Sequence, residues 1–497
     1  MKQTNLTLLI LLILCTKNGY TQEWSDPMIV DLSNHFSDPQ IVVDSGQLLH
    51  LAFEIDEDKD GYSDDIYYTN FNGMDWSPQI NISSSNNNSQ DIKLKLDDNE
   101  NIHIMWGEWN DSTRQYSLTD ILYTFNNGKA WAQPENLFHS NSQILYISGY
   151  DFDFDNKNHL HLLWSHELWL KYRYLQNGDS SDIKILRRGA FSPAFRIEND
   201  KIHATFMSSP EQGNNSVYYF CSHIDSIKTD STHLLGQLVH TDQNNMVHFP
   251  QIVMDYNNRI HLLWHEGLNR CFWPNEIYHA YSDDGVLWSE AFDVTHNGGA
   301  SFIPSIVVDS QNQVHIVWVQ KQFINSDSSV YNISYAFFNG NSWSEPKNIF
   351  SKVNSLPCMA IDGEDFLHIV WRVWSETEPK KHYLYYSTTR PAIGVFFQNE
   401  KIKPKNYRLF QNFPNPFNTC TTITLSIPSK DRICLTIFNI QGKIVRRLIS
   451  NSPYQPGNYS VRWDAADDKG ITVSSGVYLC QLKSANYIEN KKIILLF

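Results

Sequence analysis

The ten residues Asp255 to Trp264 read DYNNRIHLLW, and this pattern recurs along most of the chain. An acidic residue ends an apolar run, a polar turn follows, and a histidine then precedes two apolar residues and an aromatic one. Seven copies place histidines at positions 50, 103, 161, 203, 261, 315 and 368, the fourth copy being the weakest. A repeat of about 40–50 residues built from short alternating strands predicts a β-propeller with one four-stranded sheet per repeat.

Each repeat divides into four strands, A to D. Strand A is the apolar run, strand B carries the histidine, and strand C is rich in tyrosine, as in Ile66 to Thr69. Strand C ends at an Asn-Gly or Asp-Gly pair, which predicts a tight hairpin. A tryptophan three residues after the glycine opens strand D; these residues are Trp76, Trp131, Trp288 and Trp343.

The two ends of the repeat array complement each other. The last repeat has no strand D, whereas Trp24-Ser25-Asp26-Pro27 near the start resembles Asp75-Trp76-Ser77-Pro78. We therefore predict that residues 23–33 complete the last sheet and close the ring, which removes exposed sheet edges. The predicted fold is all-β: a seven-bladed β-propeller over residues 23–390, followed by a linker at 391–406 and a small domain.

Composition narrows the classes of function. The net charge of −15 gives no basic footprint for a nucleic acid. Residues 1–22 have the pattern of a secretory signal peptide, with lipidation at Cys15 as a less favoured alternative, and their apolar run is too short to span a bilayer. We predict no transmembrane span elsewhere. No later cysteine belongs to a CxxC pair, so a thiolate metal site is not expected, and a disulfide in the tail is left open.

The C-terminal segment has a different pattern. The run Leu409 to Asn418, LFQNFPNPFN, is followed by Gly457 to Asp464, GNYSVRWD, and by Ser475 to Leu482, SGVYLCQL. Together these runs resemble the type A sorting domain of the type IX secretion system. The resemblance covers residues 407–497 and implies an Ig-like β-sandwich, interaction with the type IX secretion machinery, and a secreted or outer-membrane location. A generic carbohydrate-binding sandwich is the alternative.

An acidic loop follows strand B of the first repeat. Its aspartates alternate and are followed by a glycine, as in the calcium loops of integrin propellers, which it resembles. Alternating carboxylates and one backbone carbonyl can surround a single hard cation. We predict a structural calcium ion bound by Asp56, Asp58, Asp60, the carbonyl of Tyr62, and Asp64; a solvated acidic loop is the alternative.

Residues that differ between repeats follow strand B, where the B–C connections share one end of a propeller. Carboxylates, an arginine and aromatic residues there suit sugar recognition, because aromatic faces stack on sugar rings and carboxylates accept hydroxyl protons. The candidate catalytic residues are Glu108, Glu167 and Glu266. The candidate ligand-binding residues are Trp109, His166, Trp169, His265, Trp273, Arg372 and Trp374. The alternative is that these residues only solvate or pack the loops.

The seven repeated histidines are expected to be structural, because a residue at the same place in every repeat serves the repeat. We expect each to bond to a local partner such as the backbone, and the aspartate six residues earlier to cap its turn. The run Ser282 to Trp288 resembles the Asp-box of sialidase and BNR-repeat propellers, an element of fold rather than catalysis.

The sequence therefore favours an exported propeller that binds a glycan or a protein through its B–C loops. A secreted glycoside hydrolase or polysaccharide lyase that uses the carboxylates of this end is the main alternative, and a structural surface protein is the other. Whether the chain is an enzyme is left open, with binding favoured.

Overall fold

A computed structural model of the 497-residue chain describes part of the chain. The described residues are 24–31, 35–56, 65–73, 76–85, 87–109, 118–140, 147–176, 179–208, 216–229, 236–242, 245–267, 275–296, 300–325, 328–353, 356–374, 382–390, 407–409, 412, 417, 421–454, 456–463, 465–469, 472–485 and 487–496.

Seven antiparallel sheets, six of four strands and one of five, make up the N-terminal part of the described structure. Their strands, in the order A to D, are as follows. Sheet 1 has His35–Val43, Leu49–Asp56, Asp65–Phe71 and Ile80–Asn81. Sheet 2 has Asn88–Leu96, Ile102–Trp109, Asp120–Asn126 and Glu135–His139. Sheet 3 has Ile147–Phe154, Leu160–His166, Trp169–Gln176 and Lys184–Arg188, and Asp179–Ser180 also pairs with its strand C.

The remaining sheets follow the same order. Sheet 4 has Ala190–Glu198, Lys201–Ser208, Ser216–His223 and Gln237–Thr241, with a short helix at Ile224–Thr229. Sheet 5 has Met246–Met254, Ile260–Gly267, Asn275–Ser282 and Phe292–Asp293. Sheet 6 has Ala300–Val308, Val314–Asn325, Ser328–Phe338 and Lys347–Ser351. Sheet 7 has Cys358–Ile361, Leu367–Trp374 and His382–Thr388, with Met28–Asp31 as strand D.

The A strands of successive sheets contact one another, from sheet 1 through sheet 7 and back to sheet 1. They therefore surround a common axis, and the D strands lie farthest from it. The expectation of an all-β chain made of four-stranded antiparallel sheets is confirmed.

One aromatic contact recurs between neighbouring sheets. The tryptophan four residues before strand D of one sheet packs against the strand C aromatic residue of the sheet before it, as Trp76 does on Tyr386 at 5.8 Å and Trp131 on Tyr68 at 5.0 Å. The expectation that this tryptophan opens strand D is wrong: Trp76, Trp131 and Trp343 each form an isolated bridge with the end of strand C. Trp24 makes the same contact with Tyr335, at 6.1 Å between ring centroids. Met28 pairs with Tyr386 in the ladder, so the N-terminal segment supplies the strand D that sheet 7 lacks.

The repeated histidines are buried in hydrogen-bonded chains within the sheets. In six sheets the histidine Nδ1 lies 2.6–2.7 Å from a strand C tyrosine hydroxyl; the pairs are His50–Tyr68, His103–Tyr123, His161–Tyr172, His203–Tyr219, His315–Tyr335 and His368–Tyr386. In sheet 5, His279 replaces the tyrosine and lies 3.0 Å from His261. The local role is confirmed, although the partner is a side chain instead of the backbone.

The preceding aspartates hold the A–B turns, as expected. Asp255 Oδ1, for example, accepts hydrogen bonds from the backbone N–H groups of Asn257 and Arg259, both at 2.9 Å. In six sheets the other carboxylate oxygen lies 3.0–3.7 Å from the histidine Nε2. Sheets 1, 2, 3, 6 and 7 thus share an Asp–His–Tyr chain and sheet 5 an Asp–His–His chain, whereas sheet 4 has the His–Tyr pair alone; the Asp–His contact is a hydrogen bond in sheets 1, 6 and 7.

The C-terminal part has two sheets that share one apolar core. One contains Arg408–Leu409, Thr421–Ile427 and Gly457–Trp463, and the other Asp431–Asn439, Ile444–Tyr454, Gly476–Lys483 and Ile488–Leu495. Buried residues from both sheets, including Leu425, Trp463, Leu435 and Leu482, form that core. Cys434 and Cys480 are free thiols, as are Cys221 and Cys358, so the described cysteines form no disulfide.

Candidate functional site

The candidate site lies at the end of the axis where each strand B stops and each strand A begins. These two points coincide because the strands are antiparallel: Glu54, near the end of strand B, pairs with Ser37, near the start of strand A. The Asp–His–Tyr chains lie toward the opposite end of each sheet. The variable side chains and the repeated ones are therefore separated along the axis.

Two of the candidate catalytic carboxylates have a structural partner two residues away. Glu108 is 5% exposed and accepts hydrogen bonds from the indole of Trp106 at 3.2 Å and from Asn87 at 3.1 Å. Glu266 is 3% exposed and accepts from the indole of Trp264 at 3.3 Å and from His240 at 2.9 Å. Both carboxylates thus satisfy a buried indole N–H, which would otherwise be costly to bury.

Sheet 3 places His166, Glu167 and Trp169 around a two-residue B–C turn. His166 is buried, with Nε2 2.7 Å from Ser140 Oγ and Nδ1 3.0 Å from Lys171 Nζ. Burial lowers the pKa of the Lys171 ammonium. Glu167 is half-buried and has a φ of 56°, a left-handed conformation uncommon for a residue with a side chain.

The residue directly after the strand B aromatic differs in every sheet. In sheet 1 it is Glu54, which is buried and accepts a 2.7 Å hydrogen bond from the backbone N–H of Asp91 in sheet 2. In sheet 7 it is Arg372, whose guanidinium pKa is lowered by burial against the opposing effects of Asp38 and Glu54. In sheet 5 it is His265. Of the candidate ligand-binding residues, Arg372 thus feels the charge of Asp38 at the start of strand A of sheet 1, and His265 pairs with His248 at the start of strand A of sheet 5.

Strand A carries a β-bulge near its start in sheets 1 to 6. In five sheets the bulge contains a residue with positive φ; these are Asp38, Asp91, Gly149, Ser192 and Phe249. We name these five residues the axial ring, because equivalent positions of adjoining A strands lie at the same level around the axis. Bulges redirect side chains and are common next to functional sites.

One side of the axial ring is charged. Lys93 lies 3.4 Å from Asp91, and that carboxylate raises the pKa of the Lys93 ammonium. Asp38, in sheet 1, faces the charges of Arg372 in sheet 7 and of Asp91 and Lys93 in sheet 2. This charged side belongs to sheets 7, 1 and 2, where Arg372, Asp38, Asp91 and Lys93 interact.

The other side is aromatic. Phe249, in sheet 5, is 47% exposed and has a φ of 47°. Its ring centroid lies 5.4 Å from that of His265, which also lies 5.4 Å from the ring of His248. Burial, followed by the charge of His248, lowers the pKa of His265 to about 3, so the imidazole is neutral at physiological pH. An exposed phenyl face thus stands across the axis from the charged groups.

The remaining candidates do not join the axial ring or lie outside the described residues. Trp109 is 2% exposed and packs in the core between sheets 2 and 3. Trp169 is partly buried, 5.9 Å from the Arg188 guanidinium. Trp273, Asp58, Asp60, Tyr62 and Asp64 are outside the described residues, as is the side chain of Trp374. Asp56, at the edge of the acidic loop, is buried at the end of strand B.

The sequence contains a signal for the axial ring in the spacing of its prolines. A proline stands five residues before the turn aspartate in sheets 1, 5, 6 and 7: Pro39, Pro250, Pro304 and Pro357. Proline within a strand is confined to edges and bulges. This spacing would have predicted irregular backbone at the start of strand A.

The Asp-box-like run in sheet 5 is a hairpin, as expected. Asp284 Oδ1 accepts hydrogen bonds from the backbone N–H groups of Val286 and Leu287, both at 2.8 Å, and Gly285 has a φ of 71°. Trp288 packs against the core of sheets 4 and 5. The run therefore serves the fold.

Comparison with known proteins identifies the C-terminal part. Residues 411–496 match the family described as the secretion system C-terminal sorting domain. The chain is secreted to the cell surface or beyond, and its sorting domain implies interaction with the type IX secretion machinery. Within the described residues, no helix has the length and apolar character needed to cross a membrane.

The rest of the chain is recognised only by its fold. No curated protein matches the sequence. A solved PL25 ulvan lyase, a polysaccharide lyase bound to a GlcA–Rha3S oligosaccharide, has a TM-score of 0.51 at 12% identity, covering 72% of this chain and 94% of that one.

Two further solved structures are more distant. The type IX secretion component PorZ of Porphyromonas gingivalis has a TM-score of 0.40 at 13% identity, covering 92% of this chain and 59% of that one. The sialidase Hz136, from a Hadza microbial source, has a TM-score of 0.38 at 13% identity, covering 57% and 63%. At these identities the lyase similarity concerns the fold alone, and the two lower scores support no argument.

Proposed function

We propose that this protein is a secreted seven-bladed β-propeller that binds a glycan at the B–C end of its axis, through the axial ring. The observation that carries the proposal is the division of this ring into a charged side and an exposed aromatic side. Sugars present hydroxyl groups at their edges and C–H groups on their faces. A site with convergent polar groups and an aromatic surface suits both.

The conformation of Phe249 supports this assignment. A phenylalanine with positive φ is strained, by roughly 1–3 kcal/mol, and such strain persists where the surrounding structure holds it and where function uses it. Here the strained backbone presents a large apolar side chain to solvent, where it contributes little to the core. Recognition of a ligand would explain both features.

The test is binding of the exported protein to a panel of soluble polysaccharides, by calorimetry or affinity electrophoresis. Phe249→Ser should weaken binding at least tenfold. Phe292→Ser is the matched control, because Phe292 is equally exposed but lies on strand D, away from the axis. Equal loss in both variants, or none in either, would contradict the proposal.

A glycan-active enzyme remains the alternative. Two of its three candidate carboxylates, Glu108 and Glu266, already accept hydrogen bonds from an indole and from a second side chain. Glu167 is the more accessible one. Release of reducing or unsaturated ends from the bound polysaccharide, lost in Glu167→Gln, would favour the enzyme over a binding protein.

We also propose the finer features of the architecture that the sequence predicts. The seven sheets are the blades of one propeller closed by the N-terminal strand, and the two sheets of the sorting domain form an Ig-like sandwich. The acidic segment from Asp56 to Asp64 holds a structural calcium ion.

A further inference from the structure

Sheet 6 is built differently from the other six. Its strands B and C, Val314–Asn325 and Ser328–Phe338, have 12 and 11 residues. In the other sheets these two strands have only seven or eight residues each. The additional length lies entirely at the B–C end, where the axial ring is.

The ladder shows how far this hairpin extends. Lys321 pairs with Ala300, the first residue of strand A, and with Tyr331 on strand C. Strand D pairs with strand C only as far as Asn332, which lies opposite Ser351. From Gln322 to Asn325 the hairpin is therefore a two-stranded ribbon that projects on the order of 13 Å beyond the four-stranded sheet, at about 3.3 Å per residue.

The base of this ribbon carries a lysine among aromatic rings. Lys321 Nζ lies 5.5 Å from the ring centroid of Phe323 and 5.3 Å from that of Tyr331. Tyr331 in turn lies 6.3 Å from Phe302. Phe323 is 51% exposed. A two-stranded ribbon has no core of its own and is only marginally stable in water. Core packing therefore does not account for an exposed phenyl group on it.

On the opposite side of the ring the B–C connection is short. In sheet 3, which lies across the axis from sheet 6, strands B and C are joined by only Glu167 and Leu168. The corresponding connections of sheets 1, 2, 4, 5 and 7 have seven to ten residues. An extended polymer could therefore enter over sheet 3, cross the axial ring and reach the ribbon.

We propose that this ribbon is a second glycan-binding element, selective for an anionic sugar, in which the face of the sugar stacks on Phe323 and its carboxylate or sulfate pairs with Lys321. This inference rests on the proposed glycan binding and names its ligand class: a linear polysaccharide with acidic units. A lysine held beside aromatic rings keeps its charge near the apolar surface that the sugar covers. The net charge of the chain, −15, would repel such a polymer without a local cation.

The test compares polymers of one backbone: dextran, carboxymethyl dextran and dextran sulfate, with polygalacturonate as a natural polyuronate. The exported protein should bind one or more of the charged polymers at least tenfold more tightly than dextran. Carboxymethyl dextran and dextran sulfate distinguish a carboxylate from a sulfate ligand. Lys321→Met, which keeps the aliphatic stem, and Phe323→Ala should each weaken that binding about tenfold.

The control is Lys347→Met, which removes the same charge from the exposed strand D of the same sheet. Equal losses in Lys321→Met and Lys347→Met would show non-specific charge attraction and overturn the proposal. Failure of every charged polymer to bind would overturn it as well, and would favour a protein ligand. If polysaccharides bind and Phe249→Ser weakens them while Lys321→Met does not, the ribbon is excluded and the axial site stands.

Discussion

At the scale of single residues, the protonation states of the repeated histidines and tyrosines define the direction of the hydrogen bond between them. Burial lowers the pKa of His103, His203 and His261 to about 4, so these imidazoles are neutral at physiological pH. Burial also raises the pKa of Tyr68 to about 12. The tyrosine hydroxyl therefore donates to the histidine Nδ1, and the histidine Nε2–H points to the aspartate.

Removing one tyrosine hydroxyl tests this arrangement. Tyr335→Phe leaves the buried Nδ1 of His315, now 2.7 Å from the hydroxyl, without its donor. We expect a loss of about 1–3 kcal/mol in the free energy of unfolding, measured by chemical denaturation. Tyr256→Phe is the control, because Tyr256 is 73% exposed, and it should change stability by less than about 0.5 kcal/mol. Equal stability of the two variants would contradict the assignment.

The neutral histidines also predict a dependence on pH. Their ordinary pKa of 6.5 applies to the unfolded chain, which therefore takes up protons at a pH where the folded chain does not. The free energy of unfolding should be steady above pH 6.5 and fall as the pH drops toward 4, by about 1 kcal/mol per histidine near pH 5.5. His203→Gln should flatten this slope and the exposed His296→Gln should not; a stability that rises on acidification would refute the account.

At the scale of elements, the N-terminal strand carries the closure of sheet 7. Ser25 N–H donates to the carbonyl of Thr388 at 2.8 Å, and Trp24 packs edge-on against Tyr335 and Phe350 of sheet 6. The segment thus joins the last sheet to its neighbour, as the tryptophan before strand D does in other sheets.

Replacing Trp24 by alanine should therefore lower the free energy of unfolding about as much as replacing Trp76 does. Each change removes a partly buried indole from an inter-sheet contact, and we expect about 2–3 kcal/mol of destabilisation from each, below the usual range for a fully buried tryptophan. Denaturation of Trp24→Ala, Trp76→Ala and the exposed control Asp26→Ala provides the measurement. If Trp24→Ala behaved like Asp26→Ala, the N-terminal strand would not be closing the ring.

The acidic loop after strand B of sheet 1 is tested by calcium itself. Calcium that binds only the folded chain should raise stability by about 2.7 kcal/mol at a hundredfold excess over its Kd. Melting the protein in EDTA and in millimolar calcium measures this, with the double variant Asp58→Ala and Asp60→Ala as the control. An equal response of both proteins, or no calorimetric binding, would mean that the loop is a solvated acidic turn.

At the scale of the whole molecule, the repeat was sufficient to predict the strand order. The alternation around each histidine and the Asn-Gly hairpins are local signals that correspond to observed strands and turns, whereas the tryptophans lie four residues before the strand D that they were expected to open. The similarity of Trp24 to Trp76 even predicted a contact between the two ends of the sheet array.

The composition of the site was harder to predict, because it depends on how neighbouring sheets approach one another. Glu108 and Glu266 looked like catalytic carboxylates in the sequence, yet each lies beside an indole N–H from the same strand. The axial ring depends on bulges, whose extra residue shifts the register and re-aims the side chains that follow. Asp91 and Phe249 therefore could not be assigned to the axis from alternation alone.

The central claim is that a glycan binds at the B–C end of the axis, and hydroxyl-radical footprinting of the exposed aromatic residues tests it most directly. Phe249 and Tyr256 belong to the same sheet and are both accessible, but Tyr256 lies in the A–B turn at the opposite end. With a bound polysaccharide, oxidation of Phe249 should fall several-fold and that of Tyr256 should stay unchanged. Protection of Tyr256 with Phe249 still reactive would place the ligand at the other end and contradict the account.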